Sequence, residues 1–274
     1  MRKLILLSVL TLLGTRNLHA GWLLVPDSHH QQFQTYAFLT EEQTALIWRD
    51  AGKAFAQVGG YFTALENNEW RFRPQLVIFG NVLFSWRPKD MIFEYGTETF
   101  DARFGFALEG HITDSLRVSL GFLHSSGHAS DGVLDPDLYP PDLGDEQIVV
   151  RGIYDWNKRV RVGLSLKPMV VTSPKAQFFA ADQFVEWFPW GITTERNGYN
   201  PFISVGLEEG GVDNVELTTT IQIGVSLRDH MRSERVADLR IVVGYYNGAD
   251  ARLKYAQIKR RRSETGFAGF VLSL

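Results

Sequence analysis

Residues 216 to 228 read Glu-Leu-Thr-Thr-Thr-Ile-Gln-Ile-Gly-Val-Ser-Leu-Arg, and the fold turns on this stretch. Taken two at a time, it separates into Leu217, Thr219, Ile221, Ile223, Val225 and Leu227 on one side. Glu216, Thr218, Thr220, Gln222, Gly224, Ser226 and Arg228 fall on the other. A period of two is that of a β-strand, whose successive side chains point to opposite faces. Soluble strands average about 5 to 6 residues, whereas a strand crossing a bilayer at a tilt needs about 10, and this run has that length.

The same split recurs along the chain. In Phe100 to Ile112, one face carries Phe100, Ala102, Phe104, Phe106, Leu108, Gly110 and Ile112, against Asp101, Arg103, Gly105, Ala107, Glu109 and His111. Leu116 to Phe122, Val160 to Lys167 and Ala237 to Tyr245 continue it. The polar face repeatedly combines charge with small residues, as a narrow, wet lumen requires. No later stretch of eighteen apolar residues could form a membrane-spanning helix. The pattern predicts an all-β transmembrane antiparallel β-barrel of about 12 strands. They are expected near residues 32–39, 53–65, 70–84, 98–112, 115–128, 147–156, 159–172, 176–188, 199–208, 215–228, 236–247 and 264–274. The chain ends with Phe270, Leu272 and Leu274 on one face, a common close for outer-membrane barrels, with Leu274 where Phe or Trp is usual.

Composition excludes several alternatives. The 274 residues are 45% apolar and 22% charged, which rules out a disordered chain, and the absence of Cys removes disulfides, thiolate metal sites, a Cys nucleophile and a lipoprotein anchor. Arg2 and Lys3 precede the apolar run Leu4 to Leu13, and Leu18-His19-Ala20 leads to Gly21, the layout of a secretory signal peptide over residues 1–20. The barrel is then expected over 21–274. Cleavage leaves 254 residues with 25 basic against 31 acidic side chains, a net charge of −6 that gives no support for nucleic-acid binding. Short links at Glu66 to Glu69, Thr113-Asp114 and Asn157-Lys158 belong on the periplasmic side. Longer ones at Ser85 to Thr97, Ala129 to Asp145 and Ala249 to Arg262 belong outside. Trp70, Tyr154 and Trp156 then fall in a periplasmic aromatic girdle. The expected place is the outer membrane of a Gram-negative bacterium. The expected partners are outer-membrane lipids, lipopolysaccharide and the barrel-assembly machinery.

The run Phe122-Leu-His124-Ser-Ser126-Gly-His128, followed after an insertion by Gly144-Asp145-Glu146, resembles the His-x-Ser-Ser-His and Gly-Asp-Glu pattern of an uncharacterised Gram-negative family, domain of unknown function 1207. Phe179 to Asp182, Asn200 to Gly206, Tyr246 to Gly248 and Gly266 to Leu274 are similar to it as well. The resemblance implies an outer-membrane protein and assigns no activity.

Counting by twos from Leu116 brings His124, Ser126 and His128 to the lipid-facing side near the outer end, and the next strand's parity puts Glu146 outward there too. A Ser nucleophile needs a base within reach and a third group to orient that base. The pair His124 and Ser126 locally resembles the outward His-x-Ser pair of outer-membrane phospholipase A and the lipid A deacylases. That resemblance implies Ser126 as nucleophile, His124 as base and Glu146 as orienter. Three readings stay open: an envelope barrel of structural role, a surface lipid hydrolase, and a narrow channel. For the last, the inward charges Asp101, Arg103, Glu109, His111, Arg117, Arg151, Asp155, Arg159, Arg161, Lys167, Glu216, Arg228, Asp238 and Arg240 either line a pore or pair up to fill the barrel. Lys259 to Arg262 reads as a solvated outer loop, and Asp27, His29 and His30 as part of a flexible N-terminus. No phosphate loop, dinucleotide motif or zincin motif occurs, so neither cofactor nor metal is expected.

Overall fold

The alternating stretches form long antiparallel strands that close on themselves. The computed structural model describes residues 22–24, 35–38, 44–49, 54–88, 95–129, 143–173, 179–192, 198–210, 216–229, 237–249 and 262–273. Their strands are β1 (Trp22–Leu24), β2 (Thr44–Arg49), β3 (Ala54–Asn67), β4 (Gln75–Pro88), β5 (Tyr95–His111), β6 (Leu116–Ala129) and β7 (Leu143–Trp156). They continue as β8 (Val160–Ser173), β9 (Phe179–Trp187), β10 (Gly198–Gly210), β11 (Glu216–Asp229), β12 (Ala237–Ala249) and β13 (Arg262–Ser273). Each strand from β2 to β13 pairs with its sequence neighbours, and β13 pairs back onto β2 through Phe267↔Arg49 to Leu272↔Thr44. The pairing of last strand with first closes the sheet into a barrel of 12 strands. The signal peptide read at 1–20, the trio Asp27, His29 and His30, and the basic residues Lys259 to Arg261 lie outside the described residues.

The facing follows the sequence parity. On β11, Ile221 and Ile223 are 41% and 55% exposed while Gln222 and Ser226 are 3% and 0% exposed. Replacing Ile221 by Arg therefore sets a charge against lipid, at a cost of about 2–4 kcal/mol near the midplane, whereas Gln222→Arg points into the polar lumen. Urea titration of folding into vesicles is expected to show the loss for Ile221→Arg alone; equal losses would reverse the assignment of faces. Trp70, Tyr154 and Trp156 are exposed at the end of the short turns, where Trp187, Trp190 and Tyr199 join them in one aromatic belt.

Two expectations change. Residues 32–39 do not form the first strand: their described part, Thr35 to Phe38, is not strand and lies fully buried inside the barrel. The first wall position is instead filled by β1 and β2, which pair end to end along the same edge of β3, at Trp22↔Asn67 and at Ala45↔Gln57. Apolar Tyr36 and Phe38 mimic a strand face, but their partners are rings of the lumen. Tyr36 packs edge-on against Phe188 and Phe202, and Phe38 against Phe184. Arg159, expected inward, is exposed in the turn between β7 and β8.

The lumen is filled rather than open among the described residues. Asp155 accepts from Arg117 at 2.9 Å and from Arg161 at 2.8 Å, Arg161 reaches Glu186 at 3.6 Å, and Lys167 pairs with Asp182. Pairing offsets the cost of holding these charges away from bulk water. Phenyl rings take the rest of the space where an inward glycine opens it. A Cβ on Gly163 would stand 2.1 Å from the Phe184 ring, and one on Gly244 2.4 Å from Phe267. A cavity between Arg103, Glu109, Arg151, Lys167, Asp182 and Glu208 keeps about 50 Å³, room for a few water molecules.

Candidate functional site

The outward site is built by three adjacent strands. The short turn between β5 and β6 fixes their register at Phe104↔His124 and Ala102↔Ser126. On the other side β7 pairs His124↔Glu146 and Ser126↔Gly144. Cross-strand partners stand about 4.5–5.5 Å apart at Cβ, so His124 and Glu146 are direct neighbours. Imidazole Nδ1 lies 4.0 Å from Glu146 Oε1, with the two side chains 27% and 42% exposed. Ser126 sits on the same face, two residues and about 6.8 Å further along β6.

The structure thus brings together all three residues singled out in the sequence, His124, Ser126 and Glu146, on one outward patch. The carboxylate faces Nδ1, which leaves Nε2 as the nitrogen available to a hydroxyl, the division of labour a Ser-His-acid unit requires. Ser126 makes no side-chain hydrogen bond among the described residues, and the 4.0 Å between His124 Nδ1 and Glu146 Oε1 is longer than a hydrogen bond. Catalytic hydrogen bonds are often long in ligand-free structures, so this spacing is compatible with such a unit.

The neighbours of Ser126 are small. Its register partners are Ala102 and Gly144, and a Cβ placed on Gly144 would find its nearest atom, the Ser125 carbonyl oxygen, 3.9 Å away. The hydroxyl is therefore not walled in laterally. In the row below, His124 stands between larger groups, Phe104 on one flank and Glu146 on the other, and β8 is bulged at Val170, opposite the step from Glu146 to Gln147. The bulge pairs Glu146 with Val171 and interrupts the ladder beside the carboxylate.

Sequence reading missed the Phe104 contact, whose ring centroid lies 4.6 Å from that of His124 with the planes tilted by 37°. The signal was present, because the brief link at Thr113 and Asp114 sets which residues of β5 and β6 face each other. Among the described residues no group of three His, Cys, Asp or Glu side chains converges as a metal-binding set.

No protein-family model and no curated protein matches the chain. Solved structures do. The outer membrane phospholipase of Salmonella typhi, crystallised as a dimer with bound calcium, is 10% identical over 89% of this chain and 93% of its own, with a TM-score of 0.54. Outer membrane phospholipase A from Escherichia coli is 11% identical over the same shares, with a TM-score of 0.52, as is an active-site mutant of it. At this identity the likeness is one of fold, and the chain has the fold of an outer-membrane β-barrel of 12 strands.

Proposed function

We propose that the protein is an outer-membrane lipid acyl hydrolase in which Ser126 is the nucleophile, His124 the base and Glu146 the group that orients it. The observation that carries this reading is the pairing of His124 with Glu146 through Nδ1, on the same outward face as Ser126 and with small residues on both sides of that serine. Height on the wall supports it. Leu116, across from girdle residue Tyr154, lies ten positions below Ser126. At about 3.4 Å per residue and a tilt of about 40°, that is about 25 Å, the height of the apolar band of such barrels. Ser126 then stands where acyl chains meet headgroups, the level at which a lipid carries its ester bonds.

The chemistry is ordinary acyl transfer. Ser126 Oγ attacks the ester carbonyl as its proton passes to His124 Nε2. The tetrahedral intermediate expels the lipid alkoxide, which takes that proton. Water then attacks the acyl-enzyme with the same base, releasing fatty acid and restoring the serine. Both neighbours in fold act, by their names, as phospholipases, which favours glycerophospholipid or a related acylated lipid as substrate.

Location belongs to the same proposal. Export by a signal over residues 1–20, insertion by the barrel-assembly machinery and contact with lipopolysaccharide are part of this reading, supported by the basic and apolar run of the first residues and by the barrel fold. Kinship with the family of domain of unknown function 1207 rests on the motifs around His124 and Glu146. A channel is opposed by the paired charges and rings of the lumen. Fractionation of cells is expected to recover the protein in the outer membrane, with gel migration that shifts on boiling; a soluble periplasmic product overturns the location. Purified protein in detergent is expected to release fatty acid from phospholipid and to be labelled by a serine-directed phosphonate. Neither release from phospholipid nor from lipid A would leave the outward cluster as a rim that meets headgroups.

A further inference from the structure

One row of outward side chains crosses four strands through the candidate base: Gly80 on β4, Phe104 on β5, His124 on β6 and Glu146 on β7. Gly80 brings no side chain to this row, so His124 is the one side chain directly across from Phe104. The two rings stand 4.6 Å apart at their centroids. One row lower, on the same two strands, Phe106 and Phe122 stack at 5.9 Å. The imidazole therefore comes closer to its aromatic neighbour than a phenyl ring does in the equivalent position, while its other flank meets Glu146. The imidazole is thus flanked on both sides within its row, and Ser126 lies two residues along the same face of β6.

We propose that Phe104 is a positioning residue for His124, a role that rests on the hydrolase reading of this site. The ring holds the imidazole between itself and Glu146 so that Nε2 faces the Ser126 row. Its π face also attracts the imidazolium that exists only after the Ser126 proton has been taken. Because that charge is absent in the resting state, the attraction acts on the transition state rather than on lipid binding, and so on kcat rather than KM. Phe106, which lies beside no titratable side chain in its own row, is the internal control.

Two measurements test this. In protein carrying labelled histidine in detergent micelles, the ring C–H resonances of His124, assigned by their loss in His124→Gln, are expected upfield through the ring current of Phe104. They should move to ordinary positions in Phe104→Leu and stay in Phe106→Leu. In phospholipid hydrolysis, Phe104→Leu is expected to lower kcat about tenfold at unchanged KM and unchanged folded yield, Phe104→Tyr to restore it, and Phe106→Leu to leave it alone. A wild type that turns lipid over while Phe104→Leu keeps its kcat, or loses it without rescue by Phe104→Tyr, overturns the role of Phe104 and leaves the hydrolase standing. Unmoved His124 resonances in Phe104→Leu overturn the ring contact itself. A wild type without turnover overturns the hydrolase, and the role with it, whatever the resonances show.

Discussion

Ser126→Ala is expected to lower phospholipid hydrolysis at least about a thousandfold, and His124→Ala by a comparable factor, with both variants folding to the wild-type yield. The two act as one unit, so the double variant should be no slower than either single one. The yield is protected because both side chains lie on the outer face in part-exposed positions, where neither fills a buried space. Glu146→Gln is expected to cost less. An amide oxygen can still accept a hydrogen bond donated by Nδ1–H, and what is lost is the negative charge that favours the imidazolium. Initial rates of fatty-acid release check all four variants at one detergent and lipid composition. Activity retained in Ser126→Ala would remove the serine from the chemistry. An additive fall in the double variant would show that the two residues do not work together.

Tyr36→Ala is expected to destabilise the barrel by about 3–5 kcal/mol, the usual range for emptying a buried aromatic site, and to raise its ion conductance in a planar bilayer. Tyr36 is 1% exposed and ties the segment inside the lumen to three strands. Its backbone N–H donates to Glu186 on β9 and its hydroxyl to Asp238 on β12, while Ser204 Oγ on β10 donates to its carbonyl oxygen at 3.0 Å. The Arg240 guanidinium lies 4.3 Å over the ring. Removing the ring leaves Asp238 short of a donor and opens a void between Phe188 and Phe202. Tyr36→Phe keeps the packing and loses only the hydroxyl, so a smaller loss of about 1–3 kcal/mol isolates the buried acceptor. Gly206 offers a second route to the same end, since any Cβ there would stand 2.6 Å from the Phe38 ring and 2.8 Å from the Ala37 carbonyl oxygen. Unchanged unfolding midpoints and unchanged conductance in Tyr36→Ala would show that the segment does not hold the lumen closed.

Most of the wall was legible because a barrel strand has two solvents. Where one face meets lipid and the other a polar lumen, the sequence must alternate, as it does through Glu216 to Arg228 and Phe100 to His111, and the barrel follows from period and length. Strand β9 shows where this weakens. Gln183 points outward while Phe184 points inward into the room left by Gly163, so polarity and facing are inverted at adjacent residues. No local rule reveals that exchange, because the space for Phe184 is made by a different strand.

The sequence by itself determined that His124 and Ser126 share one face, since residues two apart on a strand must, whereas the register that sets Phe104 opposite His124 came from the structure. Only the tertiary structure decided that Glu146 stands directly across from His124. The link from Ala129 to Leu143 is too long to set a register, and β6 and β7 find theirs through the closure of the whole sheet. Only the tertiary structure, likewise, placed Thr35 to Phe38 inside the lumen. A segment rich in apolar and polar neighbours reads as wall until the buried Glu186, Ser204 and Asp238 of distant strands are seen to supply the hydrogen bonds that an isolated chain inside a barrel cannot obtain from a ladder.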